Sequence, residues 1–219
     1  MSVKAGAKRR GTRELVGSFS RNGSRRNRDI ASDPRPATRT LPLPMTIFFT
    51  SDTHFGDMRV LRFDHRPFPS IDAHDEALVE RWNAIVTRHD IVWHLGDFAL
   101  GPEPARVDAL LGGLNGEKHL VAGNNDDDAT LALTGWASVG YYAELMVDRR
   151  MLVLCHYAFR TWNGMGRGAI NLHGHSHGKL TPIPRQYDVG VDAQAFRPVT
   201  LADILASRKR SARKDPAST

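Results

Sequence analysis

The sequence contains a single cysteine, Cys155, among its 219 residues. No intrachain disulfide can form, which excludes the class of small secreted domains held together by disulfides. A reducing, cytoplasmic setting is therefore expected. Cys155 ends the apolar run 151–155, and we interpret it as a small buried side chain rather than a nucleophile.

Long apolar runs are also absent. No stretch approaches the roughly 18 apolar residues that a membrane-spanning helix needs. The charged N-terminus is not followed by the apolar core of a secretory signal, so no membrane partner is expected. With 41% hydrophobic and 25% charged residues, the composition is typical of one soluble domain.

Acidic residues are scarce at both ends of the chain. Residues 1–44 contain 11 Lys or Arg against 3 Asp or Glu, and residues 207–219 contain 5 against 1. Residues 45–206 reverse the balance, with 14 basic against 20 acidic residues. We predict a disordered basic extension over 1–44, a domain over 45–206 and a disordered basic tail over 207–219. An acidic body is what a cation site requires.

Three interpretations of residues 1–44 stay open. Its arginine clusters, such as residues 25–28, are suited to binding nucleic-acid phosphates without a fixed structure. Its Arg- and Ser-rich, acid-poor composition is also found in transit peptides. Met45 stands directly before the first predicted strand, so translation from Met45 would make the extension an artefact of start-site choice.

Strand and helix patterns alternate from Met45 onward, which predicts an α/β fold with a sheet covered on both faces. Short apolar runs predict strands at 46–50, 91–95, 118–122, 139–147, 150–155, 169–173 and 187–191. Helical spacing and capping residues predict helices at 72–87, from Pro102 to Gly113, at 127–134 and at 201–207, the last capped by Thr200.

Five of these strands run directly into Asp, Asn or His. Sites in open α/β sheets form at the carboxyl ends of strands. Taken alone, the Asp and Asn clusters are ordinary in turns and His156 is typical of a buried histidine, whereas Gly-His-Ser-His is a stronger signal. Five clusters behind five apolar runs together indicate one metal site. The clusters are Asp52-Thr-His54, Gly96-Asp97, Gly123-Asn-Asn-Asp126, His156 and His173-Gly-His-Ser-His177.

This order of motifs resembles the calcineurin-like metallophosphoesterase family. The stretches Thr-Ser-Asp-Thr-His-Phe-Gly and Asp-Val-Gly-Val-Asp resemble a small bacterial and phage subgroup, and the resemblance covers residues 45–205. It implies a β-sandwich of two mixed sheets flanked by helices, and two divalent metal ions. It also implies the ligands: Asp52, His54 and His177 for one ion, Asn124, His156 and His175 for the other, and Asp97 as the bridge.

The resemblance implies hydrolysis of a phosphate ester by a hydroxide that bridges the two ions. Two ions that share a carboxylate lower the pKa of a bridging water from about 15.7 toward 7. Mixed imidazole and carboxylate ligands suit manganese, the expected metal, with iron, zinc or nickel as alternatives.

Asn125 departs from the family pattern, which has histidine at this position. Asparagine donates a hydrogen bond but cannot transfer a proton. We expect Asn125 to act with Asp97 in catalysis and to contact substrate, and Asp126 to orient a neighbouring ligand. Arg62 and Arg66 are candidate phosphate-binding residues, with a solvated loop as the alternative.

We therefore predict a cytoplasmic hydrolase of phosphate esters, with a phosphodiester of a nucleotide or nucleic acid as substrate and no stable protein partner. The missing histidine leaves a second hypothesis open, a catalytically weak member of the family that acts as a protein-binding scaffold. Retention of all seven ligand positions favours the enzyme.

Overall fold

The structure is a computed structural model that describes residues 45–214. The predicted extension 1–44 and residues 215–219 lie outside this range. Between Met45 and Lys214, no helix combines the length and apolarity needed to cross a membrane.

Nine strands and five α-helices make up the described chain. The strands are β1 (Ile47–Thr50), β2 (Ile91–His94), β3 (Glu117–Val121), β4 (Trp136–Gly140), β5 (Ala143–Val147), β6 (Arg150–Leu154), β7 (Ile170–His173), β8 (Gln186–Asp188) and β9 (Val199–Thr200). The helices are α1 (Arg59–Phe63), α2 (Ile71–Asn83), α3 (Pro104–Gly113), α4 (Asp128–Leu131) and α5 (Leu201–Lys214), with a 3-10 turn at Met165–Arg167.

The strands form two mixed sheets. The first has the order β4-β3-β2-β1-β9, with β1 to β4 parallel and β9 antiparallel to β1. The second has the order β5-β6-β7-β8, in which β5 is antiparallel to β6 and the other pairs are parallel. Parallel pairing places the carboxyl ends of β1, β2 and β3 at the same end of the first sheet. It places the carboxyl ends of β6 and β7 at the same end of the second sheet.

Successive side chains of β1 point to opposite faces of the first sheet. Phe49 belongs to a buried cluster that also contains Val121 of β3 and Leu152 of β6, so the two sheets pack face to face. Phe48 belongs to a second cluster with Trp82 of α2 and Leu111 of α3, so these helices cover the outer face. The predicted α/β sandwich of two mixed sheets with flanking helices is confirmed.

Several boundaries differ from the prediction. The segment predicted as one strand over 139–147 is divided between β4 and β5, and α1 was not predicted because five residues are too few to show helical spacing. Helix α2 begins after Ser70, whose side chain accepts a hydrogen bond from the backbone N of Ala73 at 3.1 Å. Helix α3 begins at Pro104 rather than Pro102.

The last helix is longer than predicted. Thr200 caps α5 by accepting a hydrogen bond from the backbone N of Asp203 at 3.2 Å, but the helix continues to Lys214 instead of ending at residue 207. The added residues are mostly Ala, Arg and Lys, which are strong helix formers.

Candidate metal centre

The seven residues predicted as metal ligands follow the carboxyl ends of five strands. Asp52 and His54 follow β1, Asp97 follows β2 and Asn124 follows β3 in the first sheet. In the second sheet, His156 follows β6, and His175 and His177 follow β7. The ends of the two packed sheets therefore carry all the candidate ligands.

Six of these side chains form two groups in which the ligand atoms lie within 4.8 Å of one another. The first triad is Asp52, His54 and His177, and the second triad is Asp97, His156 and His175. Asn124 extends the second triad, because its Oδ1 lies 3.1 Å from Nε2 of His156.

Asp97 belongs to the second triad and also lies next to the first. Its Oδ2 is 3.5 Å from Nε2 of His156 in the second triad and also 3.5 Å from Nε2 of His54 in the first. The carboxylate is only 2% exposed. One carboxylate oxygen is thus equidistant from an imidazole of each triad, which is the arrangement that a bridging ligand requires.

The backbone of the site is strained. Five candidate ligands have positive φ angles: Asp52 at 57°, His54 at 48°, Asp97 at 57°, His175 at 65° and His177 at 48°. The left-handed region costs a residue with a Cβ about 1–2 kcal/mol. Such residues cluster at functional sites, where the surrounding structure holds them in place. Their concentration at these strand ends indicates that the backbone is shaped for the site rather than for stability.

The imidazoles of His156 and His177 are held by their outer nitrogens. Nδ1 of His156 lies 2.7 Å from the backbone O of Leu95, and Nδ1 of His177 lies 2.7 Å from Oδ2 of Asp192. Because a carbonyl or carboxylate oxygen only accepts, each Nδ1 carries the hydrogen. This leaves the Nε2 lone pair free for a cation, the usual arrangement of metal-binding histidines.

His54 provides the test of whether a metal fits. Its Nδ1 donates to Oδ2 of Asp57 at 3.1 Å, while its Nε2 is buried without a hydrogen-bond partner. A buried polar atom without a partner costs free energy, and a cation held by the first triad would supply that partner. Imidazole nitrogens and carboxylate oxygens together suit manganese, iron or zinc, so the residues fit a transition-metal site.

The carboxylate of Asp52 is enclosed by two glycines and one backbone donor. The backbone N of His175 donates to both carboxylate oxygens at 3.0 Å. A Cβ at Gly174 or Gly190 would lie 2.7 or 2.5 Å from Oδ2, so only glycine allows this approach. Burial raises the pKa of the Asp52 carboxyl to about 6, more than the nearby histidines lower it. A buried carboxylate of raised pKa is a group that a cation stabilises.

Asp126 lies beneath the turn that carries Asp97. Its carboxylate accepts hydrogen bonds from the backbone N of Asp97 at 2.9 Å, of Phe98 at 2.8 Å and of Gly123 at 2.8 Å. These contacts tie the end of β2 to the end of β3. Asp126 touches backbone rather than a ligand side chain, so it fixes the position of Asp97 through the main chain.

Asn125 contacts Asp97 twice. Its backbone N donates to Oδ1 at 2.8 Å and its side-chain Nδ2 donates to Oδ2 at 2.7 Å. Its Oδ1 lies 3.4 Å from Nη2 of Arg59 on α1. Asn125 therefore connects the central carboxylate with an arginine that the sequence analysis did not single out.

The two arginines predicted to bind phosphate, Arg62 and Arg66, make other contacts. Arg66 is buried and donates to the backbone O of Asp52 at 2.7 Å and to the carboxylate of Asp192 at 2.7 and 2.9 Å. It supports the first triad from behind and is not free for substrate, so that expectation was wrong. Arg62 is exposed, and its guanidinium lies 5.6 Å from the ring centre of Phe63 rather than against a ligand.

Four residues near the ligands were missed by the sequence analysis: Asp57, Arg59, Tyr157 and Asp192. Asp192 is the last residue of the Asp-Val-Gly-Val-Asp stretch. This stretch contributed to the family resemblance, but no role was predicted for its residues. Tyr157 directly follows His156, and its ring centre lies 4.6 Å from that of His175. Only its position next to a candidate ligand in the sequence could have indicated Tyr157. Arg59 and Asp192 also contact residues that are distant in sequence, so these contacts could not be predicted before the fold was known.

Comparison with known proteins points to one family. A profile described as the calcineurin-like phosphoesterase superfamily domain matches residues 45–181. The Gene 66 protein of Mycobacterium phage D29 is 33% identical over 178 residues, covering 67% of this chain and 88% of that protein. An uncharacterized protein of Methanocaldococcus jannaschii is 27% identical over 167 residues, covering 73% and 89%.

A solved structure shares the fold. A protein of unknown function from Aquifex aeolicus superposes with a TM-score of 0.61 at 18% identity. The match covers 75% of this chain and 100% of that one. At this identity the likeness concerns the fold alone.

Proposed function

The chain belongs to the calcineurin-like phosphoesterase superfamily and is therefore a metal-dependent hydrolase of phosphate esters. We propose that it cleaves phosphodiesters with a pair of divalent ions. The observation that carries the proposal is the position of Asp97, whose Oδ2 is 3.5 Å from an imidazole nitrogen of each triad. A single-ion site would have no use for imidazoles of two separate triads beside the same carboxylate.

The first triad would hold one ion, the second triad with Asn124 would hold the other, and Asp97 would contact both. When bound, such a pair lowers the pKa of a water molecule and neutralises charge on phosphate oxygens. Manganese is the proposed metal, because four of the seven ligands are imidazoles and magnesium prefers oxygen ligands.

The chain's own residues prepare the site. Asp57 and Asp192 hold the imidazoles of His54 and His177 through their Nδ1 atoms, which keeps each Nε2 directed at the site. Asn125 holds both oxygens of Asp97. These groups orient ligands, and none of their contacts supplies a proton to a departing alkoxide.

The diester is proposed together with the nucleotide-like substrate class. Asp57, Asp64 and Asp192 lie within hydrogen-bonding or ion-pairing distance of a candidate ligand, but each is paired with a basic side chain, Arg59, Lys179 and Arg66 respectively. Their charges therefore do not separate a diester from a monoester, and a comparison of the two aryl esters decides between them.

A nucleotide-like substrate is supported by Tyr157. The residue is 47% exposed, and its ring lies beside His175 of the second triad. An exposed aromatic face next to a phosphate site can stack on a nucleobase. We therefore propose a nucleotide or a nucleic-acid end as the substrate class.

The proposal is tested by a substrate screen of the full-length protein with and without Mn²⁺. The substrates are an aryl phosphodiester, an aryl phosphomonoester, a cyclic nucleotide and single-stranded DNA. We expect Mn²⁺-dependent turnover that a chelator abolishes, with the aryl diester cleaved faster than the monoester. A protein-binding scaffold, the alternative raised by Asn125, predicts no turnover of any ester, and faster monoester cleavage would contradict the diester assignment.

A further inference from the structure

Arg59 lies beside the metal centre without belonging to it. Its Nε donates to Oδ1 of Asp57 at 2.9 Å and its Nη2 donates to Oδ2 of the same carboxylate at 2.9 Å. The Nη2 also lies 3.4 Å from Oδ1 of Asn125. The guanidinium is thus positioned between a residue that holds His54 and a residue that holds Asp97.

One edge of this guanidinium is unoccupied. The contacts with Asp57 and Asn125 involve Nε and Nη2, and no hydrogen bond joins Nη1 to any residue in the described part of the chain. The Arg59 side chain is 53% exposed. Two N–H donors on a fixed positive group are therefore accessible from solvent, next to the site where the phosphate of a substrate would lie.

Asn125 cannot provide an equivalent charged interaction. One N–H of its Nδ2 is engaged with Oδ2 of Asp97 at 2.7 Å, its Oδ1 only accepts, and the amide is neutral. Arg59 brings a positive charge to within 3.4 Å of this residue. A guanidinium binds phosphate oxygens through parallel N–H donors, and the ion pair with Asp57 fixes its orientation, so little side-chain entropy remains to be lost on binding.

We propose that Arg59 is the phosphate-binding residue of this enzyme, with Nη1 donating to a non-bridging oxygen of the substrate phosphate. The inference rests on the proposed function, because it places that phosphate at the metal centre. It replaces Arg62 and Arg66, the arginines that the sequence suggested, with Arg59, which lies three residues before Arg62 on α1.

The test compares Arg59→Met, Arg59→Lys and Arg62→Met with the wild type, in the full-length Mn²⁺-loaded protein. Arg149→Met is the matched control, since Arg149 is exposed in the turn before β6, at the opposite end of the strand that leads to His156. The two readouts are the Kd of orthophosphate by calorimetry and kcat/KM for an aryl phosphodiester. Bound manganese is measured for every variant.

Loss of a charge-assisted hydrogen bond to phosphate corresponds to about 10- to 100-fold. We expect Arg59→Met to weaken orthophosphate binding and to lower kcat/KM by this factor at unchanged manganese content. Arg59→Lys should recover part of the loss, and Arg62→Met and Arg149→Met should resemble the wild type. An equal loss in Arg62→Met, or an effect of Arg59→Met that disappears at equal manganese occupancy, would overturn the assignment.

Failure of the proposed function is distinguishable. If the wild type cleaves no ester but binds orthophosphate about 10- to 100-fold more tightly than Arg59→Met, the assignment of Arg59 stands and the proposed function does not. If the wild type turns over and Arg59→Met matches it in both readouts, the function stands and the assignment of Arg59 is wrong.

Discussion

Nδ2 of Asn125 lies 2.7 Å from Oδ2 of Asp97, and the backbone N of Asn125 lies 2.8 Å from Oδ1 of the same carboxylate. Asn125 therefore holds the carboxylate that belongs to the second triad and also lies next to the first. An amide cannot give up a proton at neutral pH, so the same residue that orders the site leaves it without an acid at this position.

The first prediction concerns leaving groups. Wild-type turnover should depend strongly on leaving-group acidity, with aryl diesters cleaved readily and alkyl diesters slowly. Asn125→His should accelerate alkyl diesters more than aryl diesters, by up to about 10²–10⁴-fold for general acid catalysis. The gain should fall at high pH as the imidazole loses its proton.

The measurement is kcat/KM for one aryl and one alkyl diester with wild type and Asn125→His, between about pH 6 and 9. Asn125→Gln is the matched control, because it keeps an amide and adds no acid. Equal wild-type rates for the two esters would show that proton donation does not limit turnover.

The second prediction concerns the carboxylate behind His177. Asp192→Asn should weaken metal binding by about 10- to 100-fold, because the Nδ1 hydrogen bond that fixes the imidazole loses its charge. Manganese affinity is measured by calorimetry on the wild type and on both variants. Asp108→Asn, a change at an exposed position of α3, is the control and should bind manganese as the wild type does. Equal affinities for all three proteins would mean that Asp192 does not support the ligand.

The third prediction concerns Arg66, which is buried against Asp192 with 2.7 Å between Nη2 and Oδ2. Arg66→Met should lower the free energy of unfolding by about 3–5 kcal/mol, because a buried carboxylate loses its partner. Arg62→Met, at an exposed position, should change it by less than about 0.5 kcal/mol. Urea denaturation of the two variants measures the difference, and similar values would contradict the structural role of Arg66.

The fourth prediction concerns pH and Asp90, which lies away from the metal centre. Burial would raise the pKa of this carboxyl, but the hydrogen bonds that it accepts from Thr87 and Thr46 outweigh burial and lower it. A lowered folded-state pKa stabilises the fold above the unfolded pKa of about 4 and loses that effect as the pH falls through the folded pKa.

Asp90→Asn should therefore lower the free energy of unfolding by about 1–3 kcal/mol at pH 7. The difference from wild type should shrink as the pH falls below about 4. Urea denaturation at neutral and acidic pH measures both values. A difference that is the same at the two pH values would show that the charge of Asp90 does not matter.

The sequence was sufficient to predict which side chains meet at the candidate metal centre, because each lies within four residues of a strand end. Asp52, Asp97 and His156 follow the carboxyl ends of β1, β2 and β6, and parallel pairing brings such positions together. Their role as ligands stays a prediction. The contacts that hold the candidate ligands from behind could not be predicted in this way. Arg66 and Asp192 are separated by 126 residues, and no spacing in the sequence connects them.

Very short helices also limit what the sequence can predict. Helix α1, which carries Arg59, has five residues, and a segment this short shows no helical periodicity. The sequence therefore favoured Arg62 over Arg59 without a geometric reason. Residues 1–44 lie outside the described range, so the disordered extension and its three interpretations stay predictions. The cytoplasmic setting, which was inferred from the single cysteine, also stays a prediction.

The most direct test of the central claim is an anomalous-scattering map from crystals of the full-length protein loaded with Mn²⁺. We predict two peaks about 3.5–4 Å apart. One should lie among Asp52, His54 and His177, and the other among Asn124, His156 and His175, with Asp97 contacting both. A single peak, or two peaks that do not share Asp97, would contradict a paired-ion site.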